Sequence, residues 1–482
     1  MPDTLTIPWT ASEILEATHG QRLCGQLERA FTGIGIDSRQ ITAGQLFVAI
    51  KGETHDGHAF VPDVLQKKVQ GLLIAQDRVP EMPVDQWRTQ GIVGLAVDNT
   101  VTALGHLAHF NRRRAAVSVV AITGSNGKTT TRSMITTVVS QKHTTLATTG
   151  NLNNEIGLPL TLFRLSPDHR WAVLELGMNH PGEIGRLGRI CEPDIGVITN
   201  IGPAHLEGLK SMEGVMQAKG ELLQTLASNG LAILNADDPY LLQLAERCDR
   251  PVLFFGLSDR ARVRAVNIVT RAAGITFTLV LPGAEVPVEL QTHGRFMVGN
   301  ALAAAAVGHQ IGLSAQSIKS GLEAFRPVTG RLNICQTPTG VNLIDDTYNA
   351  NPGSMRAAIE TLQVLKGNHQ GVLVAGDMLE LGTQAKRLHM EIGAWAADHA
   401  IDRLYITGAF APQVAAGAQD QGLAAAAIYI GSKQDILRAL RAQLQPGDWV
   451  LVKGSRGMRM ETIVQGLLAQ RADQAAPGQT GS

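Results

Sequence analysis

Short aliphatic and β-branched runs, each closed by glycine or a polar turn, recur along the chain with room for one helix between neighbours. In the first hundred residues the runs are LFVAI (46–50), GLLIA (71–75) and GIVGLAV (91–97), which predict a small mixed sheet. From residue 117 the rhythm becomes regular: VSVVAIT (117–123), TTLAT (144–148), WAVLELG (171–177), IGVITNIG (195–202) and LAILNAD (231–237) alternate with helical stretches. That alternation predicts βαβ units and a parallel sheet. The proline and glycine of RPVTG (326–330) break the pattern. A second set of strands follows at VNLIDDTY (341–348), GVLVAGDM (371–378), DRLYITG (402–408), AAIYIG (426–431) and DWVLVKG (448–454). Between Ser354, a suitable N-cap, and Gly367, at C′, the apolar Met355, Ile359, Leu362 and Leu365 recur at helical spacing, so strand, loop and helix succeed one another there.

At 482 residues the chain exceeds what one hydrophobic core organises. The expected class is α/β in three domains: a small mixed α/β domain over residues 1–112, a central P-loop-type parallel-sheet domain over 113–327, and a Rossmann-like α/β domain over 328–482. The polar tail from about residue 471 is expected to be disordered. Hydrophobic residues at 44% and charged residues at 17% exclude a disordered or collagen-like chain. Forty-two basic side chains balance forty-two acidic ones, so no global field draws the protein to nucleic acid or to an anionic membrane. Any phosphate site must be local, and the triple arginine 112–114 reads as a solvated linker. Cys24, Cys191, Cys248 and Cys335 lie far apart without a CxxC pair, the pattern of reduced, buried and inert thiols. No apolar run of about twenty residues appears, and the first residues lack the basic flank and apolar stretch of a signal peptide. The expected location is the cytoplasm, without membrane insertion.

The loop Gly124-Ser125-Asn126-Gly127-Lys128-Thr129-Thr130 follows one of these strands and opens a helix. In that context backbone N–H groups and a helix N-terminus cradle phosphates. Lys128 would neutralise the β- and γ-phosphates of ATP, and the Thr129 hydroxyl would ligate magnesium. The strict eight-residue pattern has glycine where Ile122 stands, so this is a shorter variant; a random glycine turn is the competing explanation. Glu175 and Asn179 leave the carboxyl end of one strand and His205 follows the end of another, the edge where α/β sheets hold ligands. They would complete a magnesium site. On physical grounds alone, Lys219 reads as an ordinary solvent-facing helix lysine and Asp237-Asp238 as a turn.

Taken in order, the phosphate loop, LELGMNHPGEI, GPAHLEGL and QAKGEL resemble the ATP-dependent Mur ligases that build the peptidoglycan precursor. Asp37-Ser38-Arg39 with GQLFVAIKGETHDGH (44–58) resembles the nucleotide-sugar-binding domain shared by the last two ligases of that pathway. TTGNLNNEIGLP (148–159), DDTYNANPGSMRAAIETL (345–362), GDMLELG (376–382) and LVKGSRGMRME (451–461) are similar to the member that adds D-alanyl-D-alanine, so the resemblance covers nearly the whole chain. It implies an ADP-forming carboxylate–amine ligase. ATP would phosphorylate the terminal carboxylate of UDP-N-acetylmuramoyl-tripeptide (UDP-MurNAc-tripeptide), and the amine of D-alanyl-D-alanine would attack the acyl phosphate.

The resemblance also implies roles residue by residue. Residues Gly124 to Thr130, Asn300, Arg331 and Asp346 would bind ATP, with Arg331 on the γ-phosphate; Lys128, Glu175, His205, Lys219 and Arg331 form the catalytic set. Thr129 would take one magnesium; Glu175 and His205 would take a second, with Lys219 carbamylated so that a repelling cation becomes an oxygen ligand. Ser38, Arg39, Asp56 and His58 are expected near the UDP moiety. Asn153 and Asn154 join the substrate-binding set, and Tyr348, Asn349 and Asn351 are assigned to the dipeptide. Closure of the third domain would complete the site, in a protein expected to be a monomer.

One stretch departs from the family. Where members carry a His-Asn pair followed by another Asn, this chain reads GRFMVGNALAAAA (294–306), so Phe296 and Met297 replace the pair and Asn300 remains. Met297 either packs on the adenine or fills core. The nearest rival is the preceding ligase of the pathway, which adds the third amino acid to UDP-MurNAc-dipeptide. A folylpolyglutamate synthase relative lacks the first domain, and the intact Lys128, Glu175, His205, Lys219 and Arg331 argue against a non-catalytic nucleotide-binding scaffold.

Overall fold

The computed structural model describes residues 7–469 apart from Glu53 and Ala272. The tail from about residue 471 lies outside the described residues. Every apolar run named above forms a strand, from Leu46–Val48 in the first sheet to Trp449–Lys453 in the last. They assemble into sheets of five, nine and six strands, with a separate two-stranded ribbon pairing Trp9–Thr10 with Ala30–Phe31.

In the nine-stranded sheet the strand Ser118–Thr123 lies between Trp171–Glu175 and Ile195–Ile198, all three parallel. Their carboxyl ends therefore deliver the loop at Gly124, Glu175, and the segment from Thr199 to His205 to one edge. Leu231–Asn235, Val252–Gly256 and Val263–Arg271 continue the parallel order. The sheet then turns antiparallel through Gly274–Leu281 and Ala284–Leu290, which the regular rhythm did not predict. Along Gly274–Leu281 burial alternates from residue to residue, the signature of a sheet covered on one face only.

In the six-stranded sheet Trp449–Lys453 sits between Asn342–Asp346 and Gly371–Ala375, all parallel, with Asn333–Gln336 as an antiparallel edge. One continuous apolar core joins the nine- and six-stranded sheets, through residues such as Ile122, Leu302, Ile344 and Leu373. The five-stranded sheet carries a core on each face: Leu46, Leu73 and Leu95 on one, Phe47, Leu72 and Ile74 on the other.

Three expectations need correction. The triple arginine is not a linker: the helix Thr100–Ala115 runs through it. Arg112 pairs with Glu192 and Asp194, and the Arg114 guanidinium lies 4.2 Å over Trp9 while bonding Glu13 Oε1 at 3.0 Å. Cations at a helix C-terminus also complement its dipole. The helix Pro352–Lys366 is capped by Asn351 rather than Ser354. Pro352 takes the first helical position, and Ser354 becomes the third residue of a reciprocal box in which each side chain accepts from the other's N–H, at 2.9 and 3.0 Å. Of the free cysteines, Cys24 and Cys191 are buried, whereas Cys248 and Cys335 are only partly so. Burial pushes the Cys191 thiol up to about 12. Among the described residues no helix is long and apolar enough to cross a membrane.

Candidate functional site

The phosphate loop enters the helix Lys128–Val139 with Gly127 as its cap, in the left-handed region at φ 80°. A Cβ there would lie 2.4 Å from Asn300 Oδ1, and one on Gly124 would lie 1.9 Å from Thr199 Oγ1, so neither position admits a side chain. The neighbouring strand end pins the loop. Thr199 Oγ1 and Asn200 Nδ2 donate to the Asn126 carbonyl at 2.6 and 3.0 Å, and the Asn126 N–H donates to Asn200 Oδ1 at 2.9 Å. Ser125 Oγ donates to the Gly202 carbonyl at 2.9 Å. These bonds leave the loop preorganised at a helix N-terminus. Lys128 Nζ donates to the Gly124 carbonyl at 2.7 Å; burial pushes its pKa down, Glu175 opposes the shift and Arg331 adds to it.

Beside the loop lies a buried acid and a buried amine. Glu175 is 3% exposed. Its Oε1 accepts from Asn153 Nδ2 at 3.0 Å, and its Oε2 sits 3.4 Å from the Arg132 guanidinium yet receives no hydrogen bond. Lys219, on the helix Met212–Gln224, is 1% exposed, which overturns the solvent-facing reading. Burial, then the charge of Lys128, pushes its pKa well below the lysine range, and no carboxylate pairs with it among the described residues. His205 adopts the left-handed conformation at φ 56°, a strained backbone for a residue with a side chain. Its Nδ1 lies 2.6 Å from Glu380 Oε2 of the six-stranded unit.

A buried carboxylate oxygen without a hydrogen bond, a buried amine whose pKa is pushed down and an imidazole with Nε2 unpartnered suit a divalent cation. No group of three or more His, Cys, Asp or Glu able to hold a metal occurs among the described residues. Water, phosphate oxygens or a carbamate on Lys219 would supply the further oxygens that such an ion needs.

The third unit closes the cleft from the opposite side. The Arg331 guanidinium lies 4.1 Å over the Tyr348 ring and donates to Thr129 Oγ1 at 3.3 Å. Asn351 Nδ2 donates to Asn126 Oδ1 at 2.7 Å, so the capping residue also touches the phosphate loop. Lys128, Glu175, His205, Arg331, Tyr348 and Asn349 share the walls of one cleft, to which Asn153 and Asn154 also contribute. Asn154 Oδ1 accepts from the Gly157 N–H at 2.8 Å. Asp346 Oδ1 accepts from the Leu332 N–H at 3.1 Å, and its Oδ2 accepts from Lys453 Nζ at 2.5 Å.

A neighbouring cavity of about 480 Å³ has Thr130, Phe255, Leu257, Phe296, Asn300 and Asp346 in its walls, an apolar slot with polar ends suited to a nucleobase. Met297, 1% exposed, packs in the core and also lines this cavity, where Phe296 remains 39% exposed. Asn300 Oδ1 accepts from Thr131 Oγ1 at 3.2 Å, tying its helix to the phosphate loop's helix. Asp237 and Asp238 are turn and cap residues, each accepting backbone N–H groups.

The first-unit residues fall in two places. Asp56 and His58 line a groove on the five-stranded unit, where His58 Nε2 accepts from the Ala75 N–H at 3.0 Å and its Nδ1 lies 2.6 Å from Asp56 Oδ1. Both ring nitrogens are therefore engaged. Ser38 and Arg39 form a turn whose carbonyls Lys67 Nζ clamps at 2.7 and 2.9 Å. Arg39 pairs with Asp37 and, through hydrogen bonds, holds that carboxyl at about 2. Sequence reasoning assigned no role to Thr199, Asn200, Glu380 or Lys453; for Thr199 and Asn200 the signal lay in their positions just past a strand end on the ligand-bearing edge, and for Lys453 in its place as the last residue of a strand.

Three family models match successive parts of the chain. The Mur ligase family catalytic domain matches residues 30–112, the Mur ligase middle domain 122–308, and the Mur ligase glutamate ligase domain 330–456. A UDP-N-acetylmuramoyl-tripeptide–D-alanyl-D-alanine ligase of Escherichia coli strain K12 is 38% identical over 454 residues, covering 92% of this chain and 96% of its own. The crystal structure of MurF from Acinetobacter baumannii is similar with a TM-score of 0.88 at 34% identity, over 97% of this chain and 100% of that one. MurF ligase from Thermotoga maritima, in complex with ADP, gives a TM-score of 0.80 at 28% identity, over 90% and 97%.

Proposed function

The chain belongs to the Mur ligase family, and from that premise we infer that it joins D-alanyl-D-alanine to UDP-MurNAc-tripeptide with ATP, forming ADP and the UDP-MurNAc-pentapeptide used for peptidoglycan. The observation that carries the reading is the meeting of Lys128, Glu175 and Arg331 on one cleft built by loops of two sheets.

A carboxylate is a poor electrophile until phosphorylated, and charge on the transferring phosphoryl group must be balanced. Lys128 and Arg331 supply positive charge from opposite walls, and the backbone of residues Gly124 to Thr130 holds the remaining phosphates. Bound magnesium, held by Thr129 at the loop and by Glu175, His205 and a carbamylated Lys219 beside it, would neutralise the same developing charge. The third unit shelters the acyl phosphate from water, and the dipeptide amine enters beside Tyr348, Asn349 and Asn351. Residues 1–112 bind the UDP-sugar through Ser38, Arg39, Asp56 and His58; residues 113–327 hold the nucleotide together with Asn300, joined by Arg331 and Asp346; residues 328–482 receive the dipeptide. The protein acts as a cytoplasmic monomer serving cell-wall growth, shape and division.

The test is phosphate release from ATP with UDP-MurNAc-tripeptide, with and without D-alanyl-D-alanine, alongside mass detection of the product. Dipeptide-dependent release with a pentapeptide product is expected. Turnover with UDP-MurNAc-dipeptide and a single amino acid instead would move the chain to the preceding step.

A further inference from the structure

The segment 376–382 is held rigidly and aimed at His205. Asp377 accepts the Ala409 and Phe410 N–H groups at 2.7 and 3.1 Å, Met378 donates to His389 Nε2 at 2.9 Å, and Leu379 donates to Ser455 Oγ at 2.8 Å. Beyond these anchors Glu380 takes a left-handed backbone, φ 62°, and its carbonyl accepts the Glu207 N–H at 3.1 Å. The side chain then reaches His205 Nδ1 at 2.6 Å. A carboxylate only accepts, so in a neutral His205 the proton sits on Nδ1 and the Nε2 lone pair is free. Imidazoles that ligate metals use this outer partner to fix tautomer and ring orientation.

We propose that Glu380 is a positioning residue for His205, fixing the imidazole as the Nδ1–H tautomer so that Nε2 serves as a ligand only when the third unit is seated on the second. The inference rests on the reading of His205 as a magnesium ligand. Two chain segments thus share the job: one carries the ligand, and the other, 175 residues away in sequence, orients it. The backbone bond from Glu207 to Glu380 docks the same loop independently of the side chain. Docking and orientation can therefore be separated by substitution.

Glu380→Gln is nearly isosteric, but its amide can donate to Nδ1 and so favours the opposite tautomer. The experiment compares wild type, Glu380→Gln, Glu380→Asp, His205→Ala and the Glu380→Gln/His205→Ala double variant as full-length protein. Free Mn2+ is followed by electron paramagnetic resonance in bicarbonate buffer without peptide substrates, and steady-state kinetics are measured in parallel. Glu380→Gln is expected to lower Mn2+ affinity and kcat about 10- to 100-fold. The KM for UDP-MurNAc-tripeptide and the unfolding temperature stay unchanged, and Glu380→Asp recovers part of the loss. In the His205→Ala background the same substitution adds less than about twofold. Unchanged Mn2+ affinity in Glu380→Gln, or an equal loss without His205, would overturn the proposal. If wild type shows no dipeptide-dependent turnover, the functional reading alone falls, because the Mn2+ titration still decides what Glu380 does.

Discussion

Lys453 Nζ lies 2.5 Å from Asp346 Oδ2 and 2.9 Å from the Asn349 carbonyl, so one buried ammonium holds a strand end and the loop that follows it. Burial lowers the pKa of Lys453 and the Asp346 carboxylate opposes that shift. Lys453→Met leaves the acid without its counter-charge and should cost about 3–5 kcal/mol of unfolding free energy, measured by urea denaturation. Adding Asp346→Asn should return much of it. A loss below about 1 kcal/mol in the single variant would show that the pair is not the anchor.

Substitution of Lys219 is expected to move stability and turnover in opposite directions. The unfolded chain holds a proton there up to a pKa of about 10.4, while in the folded chain burial and then the charge of Lys128 push the pKa well below that. Below about 10 the unfolded state binds more protons than the folded one, so this lysine costs stability that grows as pH falls toward its lowered folded pKa. In CO2-free buffer Lys219→Met should therefore stabilise the fold at pH 7 by more than about 1 kcal/mol, with the gain shrinking toward pH 10. Its turnover should fall roughly 100-fold or more. Full activity of Lys219→Ala, independent of bicarbonate, would contradict the carbamate.

Gly127→Ala tests the cradle. Its added methyl would press on Asn300 Oδ1 and strain a left-handed backbone, so ATP affinity should drop by at least about 10-fold while UDP-MurNAc-tripeptide binding is kept. Titration calorimetry with each ligand separates the two, and equal losses would point to general unfolding.

Arg114 reports on the first unit. Its guanidinium stacks over Trp9, bonds Glu13 and donates to Asn111 Oδ1 at 2.8 Å. Arg114→Ala should cost about 2 kcal/mol of stability through lost stacking and charge-assisted bonds. Thermal unfolding measures it, and ATP affinity should not move.

The strands were legible because burial on both faces of a parallel sheet leaves unbroken apolar runs such as residues 117–123. The phosphate loop was legible for a similar reason: glycine, lysine and threonine at fixed offsets answer to local geometry alone. What stayed hidden depends on contacts distant in sequence. Ser354 looks like a cap until Pro352 shifts the helix start, and nothing local tells that Arg114 faces Trp9 or that Lys219 turns inward. Lys219 was recovered only through resemblance, and Glu380 not at all, because its role is defined by His205 on another sheet.

Three side-chain bonds that bridge the cleft, Thr129 to Arg331, Asn126 to Asn351 and His205 to Glu380, join residues 202, 225 and 175 positions apart. Chains emerge from the ribosome N-terminus first, at roughly 5–20 residues per second. A nascent chain that has reached the end of its second unit thus carries the phosphate loop for several seconds before Arg331, Asn351 and Glu380 exist. Until then the loop faces none of the third-unit groups that close over it.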